Sequence, residues 1–125
     1  MSHKVITLDE LIRKKDEIKS GKRKKTAQIY VKSLDGVITI KEPDIDTMQD
    51  AVKMEENGDA YMVLQCCISP NLKDPALLEA YGVAEPMDMV RLIFATGEIS
   101  PIAMECLHLA GYEEGNVKLV EAVKN

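Results

Sequence analysis

Apolar positions first recur at helical spacing. Leu8, Leu11, Ile12 and Ile18 follow Thr7, and Thr7 with Glu10 forms the S/T-x-x-E pattern of a capping box. This predicts a helix over about 8–20, stopped at Gly21. The period then shortens to two. Ala27–Lys32 and Val37–Lys41 are β-rich, with Ile29 and Val31 on one face of the first run and Ile38 and Ile40 on one face of the second. Ser33-Leu34-Asp35-Gly36 between them is a turn signal, so a hairpin is predicted over about 27–41. A lone hairpin is marginal in water and needs helices to pack on.

From Pro43 onward the punctuation is helical. Glu42-Pro43 opens a helix with Ile45, Met48 and Val52 on one face, closing near Asn57-Gly58. Asp59 is the expected cap of Ala60–Ile68, a run apolar nearly all round and therefore read as a central core helix, with a buried strand as the alternative. Asp74-Pro75 starts a helix ending at Tyr81-Gly82, and Pro86 starts one running through Phe94 with its end at Gly97. Ser100-Pro101 starts another that stops at Gly111, and Asn116 caps a last helix carrying Val117, Val120 and Val123. The expected fold class is α+β, mainly α. It is a compact helical domain with one N-terminal β-hairpin and a helical body over about 43–124. One domain, 1–125, accommodates all of it, because 125 residues bury a self-sufficient core.

Charge divides the chain. Residues 1–41 hold 11 Lys/Arg against 5 Asp/Glu, and residues 42–125 hold 5 against 16, for a net of −5. A basic front and an acidic remainder imply different partners for the two parts, or mutual attraction between them. The sharpest basic feature is Lys22, Arg23, Lys24 and Lys25, preceded by Arg13, Lys14, Lys15 and Lys19. Such a patch could contact phosphates. A solvated helix end explains it equally well, and the lack of stacking aromatics or a nucleic-acid module disfavours nucleic acid. No run approaches the ~18 apolar residues of a membrane span, and Met1–Thr7 lacks a signal-peptide stretch, so no membrane association is expected. Three cysteines, two of them adjacent, suit a reducing compartment, and the expected location is the cytoplasm.

Motifs of catalysis are not found: no Walker loop, no G-x-G-x-x-G, no G-x-S-x-G and no H-E-x-x-H. Cys66-Cys67 with Cys106-x-His108 is the best metal candidate, but neighbours on a helix diverge by about 100° and cannot both face one ion. Asp44-x-Asp46 lacks the rest of a calcium loop. The expectation is no enzyme, no metal and no cofactor. Seven methionines remain to be placed, since thioethers fill cores and also line grooves that accept apolar helices. In the helix opened by Pro86, Val90, Ile93 and Phe94 fit one buried face with Met87 at its edge. Met89 and Leu92 lie off that face, so Met87, Met89 and Leu92 are the candidate partner-binding residues.

Several spaced segments carry a resemblance. They are Ser69-Pro70-Asn71-Leu72-Lys73-Asp74, Leu77-Leu78, Ala80-Tyr81-Gly82-Val83, Glu85-Pro86 with Asp88-Met89-Val90, and Gly97-Glu98-Ile99. With the Thr7–Leu11 helix start and the Ser33–Ile40 hairpin, the pattern resembles the XkdN-like family of bacteriophage tail assembly chaperones. It extends from about Thr7 to Tyr112 and rests on turn and cap residues rather than on a catalytic signature. The resemblance implies a non-enzymatic assembly factor of the host bacterial cytoplasm, absent from the mature virion. It would bind the tape measure protein and help recruit tail-tube subunits, with self-association left open. The alternative is a small cytoplasmic regulatory or nucleic-acid-associated protein using the basic segment 13–25.

Overall fold

The structure, a computed structural model, describes residues 4–20 and 25–121. Helix accounts for 56% of the described residues, beside a small antiparallel sheet. The expected class, α+β and mainly α, is the one observed.

The front begins with α1 (Leu8–Arg13) and α2 (Lys15–Lys19), which are one predicted helix interrupted at Lys14. Thr7 caps α1 as expected, accepting the Glu10 N–H at 3.2 Å. The predicted stop at Gly21 lies outside the described residues. β1 (Thr26–Val31) and β2 (Gly36–Lys41) form the hairpin with Ile29 opposite Ile38 and Ala27 opposite Ile40. Val31, Ile38 and Ile40 are buried, whereas the paired Tyr30 and Val37 face solvent. The turn is a 3-10 segment, Lys32–Leu34, closed by Asp35 in the left-handed region at φ 46. Tyr30 steadies it by donating its hydroxyl to Asp35 at 2.9 Å.

α3 (Ile45–Lys53) starts at Asp44, whose carboxylate accepts the Thr47 N–H at 2.8 Å. A 3-10 turn, Glu55–Asn57, leads directly into α4 (Gly58–Cys66), so Asp59 lies inside that helix instead of capping it. α4 is the central element, packed against α3, α6 (Pro86–Ile93) and α7 (Thr96–Leu109). Its buried residues, Ala60, Met62, Val63, Leu64 and Cys66, point to several sides, which is why the run reads as apolar all round. The segment then becomes extended. β3 (Cys67–Ser69) adds to β2, pairing Cys67 with Ile40, so the expected single hairpin is the larger part of a three-stranded sheet in the order β1-β2-β3. Ser69 precedes Pro70, a position that disfavours helical backbone, and the β2 edge offers the freed backbone groups partners.

α5 (Pro75–Tyr81) is capped by Asp74 and closed by Gly82 at φ 65. Val83 N–H returns to the Leu78 carbonyl, the Schellman closure expected around such a glycine. The next two boundaries differ from expectation. α6 ends at Ile93, and α7 starts at Thr96, so Gly97 lies in its first turn and Pro101 inside it. The earlier start is supported by Glu98, whose carboxylate accepts the Ala95 N–H at 2.9 Å. Gly111, at φ 96, ends α7 as predicted. The last predicted helix does not form over the described residues 117–121. Asn116 does not cap a new helix; its amide turns back to donate to the Gly111 carbonyl at 2.9 Å. Val123 lies outside the described residues.

Candidate functional site

α3 buries a different face from the one its sequence suggests. Its stripe was expected to be Ile45, Met48 and Val52, yet Ile45 is 74% and Val52 73% exposed, and only Ala51 is fully inside. The cause is a close approach of backbones. At Gly58 an added Cβ would stand 2.5 Å from the Ala51 carbonyl oxygen, so the turn into α4 brings the Ala51 side of α3 against the body. Val52, with the half-buried Met48, borders an open groove of about 210 Å³ between α3, α4 and α7. Met48, Ala51, Val52, Met62, Ala103 and Leu107 line it. Glu55 and Asp59 stand at its edge, and Asp59 also accepts the Ser100 hydroxyl from α7. Tyr61 ties α4 to α3 by donating to Asp50 at 3.3 Å. Partial burial and the Asp50 charge push the Tyr61 phenol above its usual range. The groove is an apolar seat with an acidic border.

The sequence signal for this site was present, since Ile45, Met48 and Val52 do lie on one side of α3. What sequence could not show was that Ile45 and Val52 on this side face outward while Met48 packs against the core.

Met87, Met89 and Leu92 do not form one surface. Met89 is fully buried, Met87 half-buried, and Leu92 58% exposed. The expected exposure of Met89 is therefore corrected. α6 lies against α4, α5 and α7, and this crowding covers a wider face than a single stripe. Lys22, Arg23 and Lys24 lie outside the described residues, while Lys25, Arg13, Lys14, Lys15 and Lys19 are exposed. Leu8, Leu11, Ile12 and Ile18, the apolar positions at helical spacing in the first predicted helix, are also exposed.

The cysteines are brought together differently from the metal pattern considered. All three are buried and free. Cys66 donates to the Met62 sulfur at 3.7 Å, and interaction with the Cys66 thiol together with burial holds the Cys106 thiol far above the usual range. Cys67 turns away to the Pro70 carbonyl at 3.2 Å, and burial pushes its thiol up to about 11. His108 is exposed, on the outer side of α7 beside Glu105 at 3.9 Å. Among the described residues no three His, Cys, Asp or Glu side chains converge as metal ligands. Among the described residues no single helix is long and apolar enough to cross a membrane.

The family model of the phage XkdN-like tail assembly chaperone protein matches residues 7–124 of the 125-residue chain. The chain belongs to that family. It is a phage tail assembly chaperone by membership, and the match spans both the helical front and the grooved body. No curated protein and no solved structure matches it. The groove and the exposed front must therefore be interpreted from their own chemistry.

Proposed function

We propose that this chaperone binds the tape measure protein by seating an apolar helical stripe of that partner in the α3–α4–α7 groove, and that it helps recruit tail-tube subunits to the complex. The observation that carries the reading is the outward stripe of α3. Val52 stands in solvent at the rim of a groove lined by methionine, alanine and leucine, and Ile45 is exposed two turns earlier on the same helix. Such a surface accepts an amphipathic helix through i, i+3, i+4 anchors, and flexible thioethers let it adapt to more than one register. The acidic body around it keeps the complex soluble. Many weak, identical contacts along one long partner gain strength by multivalency. The chaperone acts without chemistry of its own, in the host cytoplasm during assembly, and is absent from the mature virion.

Co-expression with the tape measure protein of the same phage tests this. Wild type holds that protein in the soluble fraction and co-purifies with it. Ile45→Glu with Val52→Glu loses the complex while keeping the fold, because both side chains are exposed. Leu92→Glu, on α6, keeps it. If the two variants behave the other way round, the partner uses α6 and the groove assignment is wrong.

A further inference from the structure

The two edges of the sheet are built differently. β3, at one edge, is three residues long, shifts register against Thr39 and Ile40 of β2, and runs into Pro70. Each of these features discourages a further strand. β1, at the other edge, has none of them. Thr26–Val31 pairs with β2 in unbroken register and contains no proline, no glycine and no charged side chain. Its free side carries backbone groups that need partners. The Glu42 N–H donates to the Lys25 carbonyl at 3.1 Å, so the hydrogen-bonded pairs of the hairpin are those at Lys25, Ala27, Ile29 and Val31. The N–H and C=O groups of Thr26, Gln28 and Tyr30 therefore point away from β2, and no group of the described residues pairs with them.

The side chains of this edge match a second copy of themselves. Laid antiparallel about a two-fold axis at Gln28, β1 places Gln28 opposite Gln28 and Thr26 opposite Tyr30. Only this register engages every outward residue of both copies, and within the strand it sets no charge against a charge. On the inner face Ile29 meets Ala27 of the second copy, a large side chain against a small one. Both pack on the core yet are only half-buried, because the edge beside them is open. The inner row Ile38 and Ile29 then continues into Ala27 and Ile40 of the second copy, so the apolar layer of one sheet runs into that of the other. On the outer face the exposed Tyr30 gains Thr26 of the second copy as a neighbour.

We propose that two copies of this chain join edge to edge through β1, forming one continuous antiparallel sheet in the order β3-β2-β1-β1-β2-β3. The Gln28 N–H of each copy donates to the Gln28 carbonyl of the other, and Thr26 and Tyr30 exchange the same pair of bonds. The occupant is a second copy because one neutral strand satisfies both sides of this register. The contact is isologous, so it closes at the dimer. The α3–α4–α7 groove takes no part in it, and the tape measure assignment stands or falls separately.

Sedimentation velocity of the full chain over a wide concentration range tests the proposal. The average mass rises with concentration to that of a dimer and no further. In hydrogen exchange, the amides of Thr26, Gln28 and Tyr30 become protected as the dimer forms, while those of Ala27 and Ile29 are protected at every concentration. Gln28→Pro removes an outward N–H at an edge position that tolerates proline. It raises the apparent Kd at least about tenfold, with the circular-dichroism spectrum unchanged. Gln28→Lys and Gln28→Glu each set like charges against one another on the axis and each weaken the dimer by about fivefold. Their equimolar mixture pairs opposite charges and associates at least about fivefold more tightly than either alone. Should Gln28→Pro disturb the spectrum, the two charged variants read the same contact through an exposed side chain. Wild type that stays monomeric at every concentration overturns the proposal. A dimer indifferent to these substitutions, or a mixture that associates no better than its components, overturns it equally. So does self-association that Ile45→Glu with Val52→Glu abolishes, since that places the contact in the groove.

Discussion

Ser33, in the hairpin turn, and Glu98, in the first turn of α7, are joined by two hydrogen bonds across 65 residues of sequence. The Ser33 N–H donates to Oε2 at 3.0 Å and its hydroxyl to Oε1 at 2.6 Å. The same carboxylate accepts the Ala95 N–H, so one side chain starts α7 and holds the sheet to it. The hydrogen bonds from Ser33 and Ala95 hold the Glu98 carboxyl below the usual glutamate range.

A stability-versus-pH difference follows for Glu98→Gln. The folded state favours the ionised form, so its contribution is present above the unfolded pKa of about 4.3 and is lost as pH falls through the lower folded value. Wild type is expected to melt higher than Glu98→Gln at pH 7, and the gap should close in acid. A gap that is constant from neutral pH to below pH 3 would show that the charge of Glu98 plays no part.

Gly58→Ala is expected to destabilise by about 1–3 kcal/mol in urea unfolding, because the new Cβ meets the Ala51 backbone carbonyl and a backbone cannot swing aside. Gly97→Ala provides the contrast. Nothing stands within 4 Å of its Cβ, so the change should be neutral or stabilising by at most about 1 kcal/mol through helix propensity. Equal effects at the two glycines would mean that α3 and α4 do not approach as described.

Met89→Ala should cost about 2–5 kcal/mol, the range for truncating a buried long side chain. Leu92→Ala, three residues on and exposed, should change stability by less than about 0.5 kcal/mol. Denaturant midpoints with an unchanged m-value would check both. A small cost at Met89 would return it to the surface and reopen α6 as a partner site.

The thiols should be silent in the native protein. Cys66, Cys67 and Cys106 are buried, and thiolate is the reactive form that burial suppresses at Cys67 and Cys106. A thiol reagent at pH 8 is expected to label none of the three until the chain unfolds, and then all three at once. Rapid labelling of one cysteine in the folded state would contradict the packing of α4 on α7.

Features governed by neighbouring residues were legible in the sequence. Thr7 and Asp74 cap helices, Gly82 and Gly111 end them, and the β-rich runs on either side of Ser33–Gly36 pair, because each depends on hydrogen bonds formed within a few residues. The all-round apolar run of α4 likewise announced a central helix. Other features depended on what the rest of the chain places nearby. Periodicity identified the stripe Ile45, Met48 and Val52 but could not say that Gly58 would draw the Ala51 side inward. Met89 sits off the main apolar stripe of α6 yet is buried, since α6 has neighbours in α4, α5 and α7. The strand Cys67–Ser69 exists because β2 offers an edge, and α7 begins before Pro101 because Glu98 serves Ala95 and Ser33 together. The sequence alone thus determined the caps and turns that close within a few residues, such as those at Thr7, Asp74, Gly82 and Gly111, but not the break at Lys14, the start of α7 or the lack of a helix over residues 117–121. Which apolar faces are buried and which stay open to a partner was decided only by tertiary structure, because burial depends on contacts between residues distant in the chain.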